Sequence, residues 1–307
     1  MIKKLLVVRS GCFEARYNQA VEAALLGYAE PETLILYLWQ NDNAVFIGKN
    51  QNAYLECDLV RLEADGGTLC RRITGGGAVY HDKGNVNFSF IANKDYYDAQ
   101  RQFSIVLEAL NNIGITAGLS GRNDIEVEGR KCSGNAYYRT AAACLHHGTI
   151  LINAGYQKIA EYLTASKVKL QTKGVESVVK RVINLHEINP AITAEEVFEQ
   201  LIIAALNITG AEICNMTTEE LDKIKIEERL TYFSDPKRIL GDNIYYEARL
   251  ERRFSWGTAD IRLKIDRDVI KEAKIYSDAL DTELVAHKER ILPGKNINDA
   301  IEALEHE

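Results

Sequence analysis

The sequence predicts an α/β fold in which a large first part is followed by a smaller, strand-rich C-terminal part. Patterns typical of strands and of helices alternate through the first half of the 307-residue chain. The middle of the chain is more helical, and strand patterns return from residue 245 onwards. The hydrophobic fraction of 46% and the charged fraction of 26% are ordinary for globular proteins, so the chain can build a sizeable core.

The elements of the first half are predicted from residue type and spacing. Short runs rich in β-branched and aromatic residues predict strands at residues 4–8, 33–39, 44–47, 86–92 and 149–153. Apolar residues at helical spacing predict helices at residues 18–28, 55–64 and 98–113. Glycines at positions 66, 67 and 114 mark the ends of the second and third helices, because glycine favours the backbone conformation found there.

Helix-start signals organise the middle of the chain. Thr193 and Glu196 form a capping box that predicts a helix through residue 205, and the same pattern at residues 217–220 precedes a charged helix. Pro236 and Gly241 then indicate a break. Later strands are predicted at residues 245–250, 259–265 and 269–276, and a short helix follows residue 296. We therefore predict two domains, residues 1–241 and 242–307.

Charge and apolar patterning exclude several classes of protein. The 37 Lys and Arg residues against 44 Asp and Glu give a net charge of −7, which argues against a general nucleic-acid binder. No apolar stretch approaches the roughly 18 residues that a membrane span needs. The six cysteines are scattered, as is typical of reduced thiols. We expect a cytoplasmic protein with neither nucleic acid nor membrane as a partner.

A glycine-rich segment, RRITGGGAVYHD at residues 71–82, is the richest stretch of the sequence. Three consecutive glycines are unfavourable for backbone entropy, but they let backbone N–H groups approach a ligand closely, commonly a phosphate. Arg71 and Arg72 can supply the opposite charge. The spacing fits neither a P-loop nor a dinucleotide fingerprint. A flexible surface turn is the alternative for the glycines, and a hydrogen-bonded loop or a metal pair are the two alternatives for His81 and Asp82.

A predicted hairpin carries a second group of polar residues. Its turn lies at residues 128–129, and alternation places Lys131 and Ser133 on one face of the second strand. A two- or four-residue loop pairs Lys131 with Glu126 and Ser133 with Asp124, so that polar side chains converge on one side. A three-residue loop breaks that register. The polar face is therefore either exposed to solvent or part of a site.

Together, these two segments resemble the lipoate–protein ligase A family. The likeness runs from about residue 17 to residue 277 in the same order and approximate spacing. The glycine-rich motif alone is shared with octanoyltransferase relatives, and its combination with the Gly-Arg-Lys-x-Ser-Gly motif makes the resemblance specific. The motifs that carry it are RRITGGGAVYHD at 71–82, GRND at 121–124, GRKCSGNA at 129–136 and HHGT at 146–149.

The resemblance implies a fold, an activity and partners. The family fold is a mixed sheet flanked by helices, related to biotin ligases and class II tRNA synthetases, with a small C-terminal accessory domain. The activity has two steps, in which ATP and lipoate form lipoyl-AMP with Mg²⁺, and the lipoyl group then moves to a lysine of an acceptor domain. The implied acceptors are the acyltransferase subunits of 2-oxoacid dehydrogenase complexes and the glycine-cleavage H protein.

The resemblance also implies roles for individual residues. Lys131 corresponds to the central catalytic lysine, which touches both the lipoyl carbonyl and the phosphate. Asp124 corresponds to an acidic residue near the nucleotide and the magnesium ion. The other implied ATP contacts are Arg72, Gly77, Ala78, Val79 and Tyr80, and the implied lipoate contacts beside Lys131 are Thr74, Gly75 and Gly76. An apolar acyl pocket is expected near residues 45–47 and Leu69.

Three competing functions remain open at this point. An octanoyl or lipoyl amidotransferase works through a cysteine thioester without ATP, and Cys132 and Cys144 are the candidate nucleophiles near the motifs. His146 and His147 are close enough in sequence to Cys144 to serve as its base. A biotin ligase and a non-catalytic carrier of acyl-adenylate are the other two. Lys131 and the C-terminal part favour the ligase.

Overall fold

The computed structural model describes residues 1–121, 123–164, 180–241 and 246–305. Its described strands are β1 (Lys4–Arg9), β2 (Thr33–Gln40), β3 (Ala44–Ile47), β4 (Thr68–Arg71), β5 (Val79–His81), β6 (Asn85–Asn93), β7 (Gly118–Ser120), β8 (Asp124–Val127), β9 (Arg130–Arg139), β10 (Ala143–Leu151), β11 (Glu212–Thr217), β12 (Ala248–Phe254), β13 (Gly257–Asp266) and β14 (Val269–Ser277). The described α-helices are α1 (Ala15–Leu25), α2 (Ala53–Glu56), α3 (Leu59–Ala64), α4 (Ala99–Asn112), α5 (Tyr156–Tyr162), α6 (Ala194–Thr209), α7 (Lys223–Ser234), α8 (Pro236–Leu240), α9 (Thr282–Ile291) and α10 (Ile297–Glu305). Short 3₁₀ helices occupy Leu26–Tyr28, Leu185–Glu187 and Thr218–Glu220.

The predicted mixed sheet flanked by helices is confirmed. Eight strands pair in the order β11-β1-β2-β6-β10-β9-β8-β7. Strand β1 is parallel to both of its neighbours, whereas the pairs from β2 to β7 are antiparallel. Strands β1 and β2 are almost wholly buried, which explains why their sequences are nearly continuous apolar runs.

Two hydrophobic cores cover the two faces of this sheet. Because side chains alternate along a strand, Leu36 and Leu38 of β2 face one core, and Tyr37 and Trp39 face the other. The first core contains apolar residues of α4 and α6, and the second contains residues of α1 and α7. The large sheet therefore lies between two helical layers.

A small sheet carries the glycine-rich segment beside the large one. Its strand order is β4-β3-β5, with β3 parallel to β4 and antiparallel to β5. The glycine-rich loop, residues 72–78, joins β4 to β5 and packs near the second core. The loop is thereby held at both ends by one small sheet.

The C-terminal part has a core of its own. Strands β12, β13 and β14 form an antiparallel sheet, which packs with α9 and α10 around buried residues such as Ile261, Ile275 and Val285. It meets the rest of the chain through backbone hydrogen bonds from Ser277 N to Asn50 O (2.9 Å) and from Gly76 N to Ala279 O (3.1 Å).

Most predicted elements are present, with several differences. The predicted helix over residues 55–64 is two short helices, because Cys57 is extended and ends the first, and Asp58 caps the second by accepting a hydrogen bond from Arg61 N. The predicted strand at 149–153 is the end of the longer β10. Strands β4, β5, β7 and β11 and helices α5, α8 and α9 were not predicted. Tyr245, the first residue of the predicted strand 245–250, lies outside the described residues, and the described strand starts at Ala248.

Candidate active site

The candidate site is a cavity on the α1 side of the large sheet. Its lining comes from α1, the ends of β2 and β3, the glycine-rich loop, and strands β9 and β10. Polar residues of the lining include Lys131, Asn123 and Thr149. Trp39, Phe46 and Val79 add apolar surface to the same lining. A cavity that combines polar groups with aromatic and aliphatic side chains suits an amphipathic ligand.

The β8–β9 hairpin places Lys131 in this cavity, with a register that differs in part from the prediction. Lys131 pairs with Glu126 as predicted, but Ser133 pairs with Ile125 rather than with Asp124. A bulge at this point leaves Cys132 as the extra residue, so that Asp124 pairs with Gly134 instead. The predicted convergence of Asp124 with Ser133 is therefore wrong.

The side chains of Lys131 and Asp124 nevertheless form an ion pair. Lys131 Nζ lies 2.7 Å from Asp124 Oδ1, and both side chains are about one-third exposed. Gly134 makes room for the lysine, since a Cβ there would lie 2.8 Å from Lys131 Nζ. The Lys131 backbone also bonds to a second segment, donating to Arg181 O and accepting from Ile183 N, each at 2.9 Å. This double support fixes the position of the strand that carries the ammonium group.

The three glycines of the loop have different environments. A Cβ on Gly75 would lie 2.2 Å from Ala279 O, and one on Gly48 would lie 2.2 Å from Gly76 O. Gly76 has a φ of +93°, which disfavours other residues. A Cβ on Gly77 would meet no heavy atom of the described residues within 4 Å. Close packing within the protein therefore requires Gly75, and Gly77 is open towards the cavity.

The two arginines before the glycines lie in different surroundings. Both are buried, and burial lowers the pKa of each guanidinium to about 10, so both remain charged at neutral pH. Arg71 donates hydrogen bonds to backbone carbonyls outside the cavity, which are those of Gly48, Lys49, Gln51, Arg238 and Ile239. Arg72 lines the cavity and donates to the carbonyls of Phe46, Gly75 and Gly77. Of the two, only Arg72 has its charge at the candidate site.

A buried hydrogen-bond network connects the loop to the sheet and to α1. Arg72 Nε donates to Thr74 Oγ1 (3.0 Å), and Thr74 Oγ1 lies 3.0 Å from His147 Nε2. His147 Nδ1 is 2.8 Å from Glu22 Oε1, which also accepts from Ser89 Oγ at 2.5 Å. Because a carboxylate only accepts, His147 donates through Nδ1 and accepts the Thr74 hydroxyl through Nε2. The network holds the loop in register with the sheet.

The remaining predicted contacts are not all at the cavity. Gly77 and Val79 of the predicted nucleotide strip line it, and so does Gly76, which was predicted as a lipoate contact. Tyr80 points away, where its ring packs on Tyr162. Thr74 lies behind the loop, fully buried in the network just described. Ala78 is partly exposed beside the cavity residues. Arg122, part of the GRND motif, lies outside the described residues.

The expected acyl pocket near residues 45–47 is partly present. Phe46 lines the cavity, but its neighbours in β3 face the opposite way. Val45, Ile47 and Leu69 belong to a separate cluster with Tyr162. The apolar wall is completed instead by Trp39 of β2, which stacks on Tyr37 with 5.8 Å between ring centroids.

The candidate cysteine nucleophiles lie away from the cavity. None of the six cysteines, all within the described part of the chain, lines it. Cys132 is buried in the first core, and burial raises the pKa of its thiol to about 12. Cys144 shares a face of β10 with His146, opposite to His147, which lines the cavity. This arrangement disfavours a cysteine thioester mechanism.

His81 and Asp82 bond to protein groups rather than forming a metal pair. His81 Nδ1 is 2.9 Å from the Asn41 amide nitrogen. Asp82 accepts from the backbone nitrogens of Gly84 and Gly155, each at 2.9 Å. The hydrogen-bonded loop is therefore the better description of this pair. Within residues 1–121, 123–164, 180–241 and 246–305, no three His, Cys, Asp or Glu side chains group as a metal site.

Three residues of the cavity or its support were not singled out from the sequence. Gln19 of α1 and Trp39 of β2 line the cavity, and Glu22 of α1 holds His147. One signal was available, since Asn18 and Glu22 are polar residues four apart in an otherwise Ala-rich helix. Both are buried, which places them on the inner face.

Comparisons with known proteins agree on one family. Residues 14–206 match the family described as lipoyl protein ligase A/B catalytic domain, and residues 243–304 match the bacterial lipoate protein ligase C-terminus. Lipoate-protein ligase A of Psychrobacter cryohalolentis is 38% identical over 290 residues, covering 92% of this chain and 86% of that relative. Lipoate-protein ligase A of Blochmanniella pennsylvanica is 37% identical over 303 residues, covering 95% and 89% respectively.

Solved structures show the same likeness. LipL1 of P. falciparum, in complex with lipoate, superposes with a TM-score of 0.83 at 31% identity and covers 98% of each chain. A bi-partite lipoate protein ligase from Thermoplasma acidophilum gives a TM-score of 0.70 at 25% identity, covering 81% of this chain and all of that one. A lipoate-protein ligase A bound with ATP gives 0.68 at 26% identity, covering 78% and 99%. The chain therefore belongs to the lipoate–protein ligase A/B family.

Proposed function

We propose that this protein is a lipoate–protein ligase that activates lipoate with ATP and transfers the lipoyl group to a lysine amine. The observation that carries the proposal is the cavity itself, which is lined by the cationic side chains of Lys131 and Arg72 and by the aromatic side chains of Trp39 and Phe46. A carboxylate with an apolar chain fits a lining of this composition. Relatives of this chain have been solved with lipoate and with ATP.

The first step joins two anions, and the positive charges of the site serve that purpose. The lipoate carboxylate attacks the α-phosphorus of ATP, an O–P bond forms, and pyrophosphate leaves. Lys131 and Arg72 offset the repulsion between the carboxylate and the phosphates. Arg72 acts through its charge and through the loop carbonyls that it holds, while Gly77, which is uncrowded and lines the cavity next to Val79, offers the strip along which the nucleotide would lie.

The second step is acyl transfer to the acceptor. The lysine amine of the acceptor attacks the lipoyl carbonyl, a C–N bond forms, and the C–O bond to phosphate breaks so that AMP leaves. Negative charge develops on the carbonyl oxygen, and the Lys131 ammonium is placed to stabilise it. Lysine suits this role because its compact charge can serve the carbonyl and then the phosphate.

Asp124 is the residue that would hold magnesium. Mg²⁺ at phosphate sites is usually held by one or two carboxylates together with the substrate phosphates, and Asp124 provides one such carboxylate beside Lys131. When bound with ATP, the ion would neutralise phosphate charge. Until then the carboxylate pairs with Lys131 and keeps its ammonium group at the cavity.

The acceptors that we propose are the acyltransferase subunits of 2-oxoacid dehydrogenase complexes and the glycine-cleavage H protein. One relative was solved in a study of a ligase with its E2 lipoyl domain. We further propose that residues 1–241 carry both steps and that residues 242–307 form an accessory domain. None of the described helices is long and apolar enough to cross a membrane. We propose a cytoplasmic location, where these acceptors and ATP are found together.

The test is lipoate-dependent release of pyrophosphate from ATP and magnesium, in the absence of acceptor. We expect release by the wild type and a loss of about 100- to 1000-fold in Lys131→Ala, the range typical for removal of one preorganised donor. Lys225→Ala is the matched control, because Lys225 is a surface lysine of α7 paired with Asp222. Wild-type turnover by a folded Lys131→Ala would contradict the role of Lys131.

The amidotransferase is separated from the ligase by two further measurements. Alkylation of the cysteines should leave most lipoate-dependent pyrophosphate release intact, since no cysteine lines the cavity. Transfer of an acyl group to an acceptor domain should require ATP. Transfer without ATP that is abolished by alkylation would overturn the proposed function.

A further inference from the structure

Two buried polar residues in the lining of the cavity have unsatisfied atoms. His81 is 4% exposed and Gln19 is 1% exposed, and both line the cavity. Within the described part of the chain, neither His81 Nε2 nor Gln19 Oε1 has a hydrogen-bond partner. The ring of His81 packs 4.5 Å from that of Phe46, so its free nitrogen belongs to the same wall as the aromatic side chains.

The protonation of His81 follows from a chain of amides. The nitrogen of the Asn18 amide donates to the carbonyls of Cys12 and Gln40, which only accept. The same nitrogen donates to Asn41 Oδ1, at 3.1 Å, so Asn41 must present its NH₂ group to His81. His81 Nδ1 therefore accepts, at 2.9 Å, and the ring proton is on Nε2.

His81 also remains neutral over the range in which enzymes work. Burial, together with the nearby charge of Arg72, lowers the pKa of its imidazole to about 3. A neutral ring with an accepting Nδ1 has one N–H group. This group is a fixed donor beside the aromatic ring of Phe46.

A donor of this kind distinguishes between acyl chains. A plain alkyl chain would bury the Nε2–H of His81 without a partner, which is unfavourable. A divalent sulfur is apolar enough to pack on Trp39 and Phe46, and it accepts a weak hydrogen bond. We propose that His81, aided by Gln19, is a specificity-determining residue that selects an acyl chain bearing sulfur at its distal end over an all-carbon chain of the same shape.

Gln19 supports the same selection from α1. Its terminal amide can turn to offer either a donor or an acceptor, so it can serve a disulfide ring or a water beside it. Neither option helps an alkyl chain. This inference rests on the proposed function, since it assumes that the cavity holds the acyl group that is activated.

The experiment compares three acids as substrates for pyrophosphate release. They are lipoate, 5-cyclopentylpentanoate, in which carbons replace both sulfurs, and octanoate. The cyclopentyl acid matches the shape of lipoate, so the ratio of the two kcat/KM values isolates the sulfur. We expect the wild type to prefer lipoate over the cyclopentyl acid by at least about threefold to tenfold, the range of one modest hydrogen bond.

Variants at position 81 test whether the preference for lipoate depends on the N–H group of His81. His81→Phe removes the donor and should bring the ratio close to one, mainly through a lower kcat/KM for lipoate. His81→Gln keeps an N–H at a similar reach and should retain a preference above that of His81→Phe. Phe46→Leu is the matched control, because it alters the apolar wall beside His81 and should affect both acids alike.

The outcomes distinguish a failure of the role proposed for His81 from a failure of the proposed ligase function. Equal use of lipoate and the cyclopentyl acid by the wild type, or an unchanged ratio in His81→Phe, would overturn the role of His81 while leaving the ligase intact. Release with none of the three acids would instead contradict the proposed function. If His81→Phe does not fold, calorimetric binding of the two acids to the wild type and to Gln19→Leu still measures the preference.

Discussion

Thr74 shows how much of this site depends on residues that a ligand need not touch. Its hydroxyl oxygen accepts a hydrogen bond from Arg72 Nε, and its hydroxyl group donates one to His147 Nε2. His147 in turn donates to Glu22 through Nδ1. Donor and acceptor are therefore fixed in each of these three hydrogen bonds. The side chain is fully buried, so water cannot replace it. The hydroxyl is therefore a structural requirement of the glycine-rich loop.

Replacing Thr74 with valine should measure this requirement. Valine has nearly the same shape but leaves Arg72 Nε and His147 Nε2 without that partner, so we expect the free energy of unfolding to fall by about 1–3 kcal/mol. Thr74→Ser keeps the hydroxyl and is the control, with an expected change below about 1 kcal/mol. Chemical denaturation measures both, and equal stability of the two variants would contradict the directed network.

At the scale of elements, the β8–β9 hairpin shows what the sequence could and could not predict. Its turn and the pairing of Lys131 with Glu126 follow from local residue types and alternation. The bulge at Cys132 does not, because it depends on how the strand packs. Cys132 is buried in the first core and its thiol approaches Ile125 O at 3.4 Å. The bulge shifts the register of every pair beyond it, so Ser133 meets Ile125 instead of Asp124.

The same distinction applies to the wall of the cavity. The motifs identified Lys131, Arg72 and the glycine-rich loop, because those residues are consecutive or closely spaced. Trp39, Phe46 and Gln19 come from three elements that share no motif. Helix α1 and the small sheet pack against the large sheet in the second core, and this packing brings the three side chains together. Long-range packing is therefore the information that the sequence patterns lacked.

Arg71 joins two segments that are far apart in the sequence. Its guanidinium donates to carbonyls in residues 48–51 and to those of Arg238 and Ile239 in α8. We expect Arg71→Leu to lower the free energy of unfolding by about 3 kcal/mol or more, since several buried carbonyls lose their donor. Arg71→Lys should recover only part of this loss, because one ammonium cannot replace a planar fork.

Arg61 provides the matched control for this prediction. It is a half-exposed arginine of α3 that pairs with Glu161 at 2.9 Å. Surface pairs of this kind contribute below about 1 kcal/mol, so Arg61→Leu should leave the unfolding transition nearly unchanged. Chemical denaturation of the three variants measures the difference. A similar loss in the two leucine variants would show that Arg71 does not join these segments.

On the scale of the whole molecule, the C-terminal part reaches the candidate site. The segment after β14 lies against the glycine-rich loop, with Ala279 O accepting from Gly76 N at 3.1 Å. Lys49 also pairs with Glu283 of α9 at 3.4 Å. The loop that offers its backbone to the cavity on one side is thus covered by the C-terminal part on the other. We therefore expect a change in this contact to change the position of the glycine-rich loop at the cavity.

Gly75→Ala should break this contact without unfolding either part. The added Cβ would lie 2.2 Å from Ala279 O and 2.5 Å from Leu280 O, and neither backbone atom can move alone. The amides of Gly76 and Ser277, which are bonded across the contact, should then exchange with solvent at least about tenfold faster. Hydrogen-exchange mass spectrometry on peptides that contain these residues measures the change, with β6 in the core of the large sheet as an internal reference.

Gly77→Ala is the control, since a Cβ there meets no described heavy atom within 4 Å. Protection that stays unchanged in Gly75→Ala would mean that the C-terminal part is not held against the loop in solution, whereas a selective loss would establish that the loop and the C-terminal part form one interface.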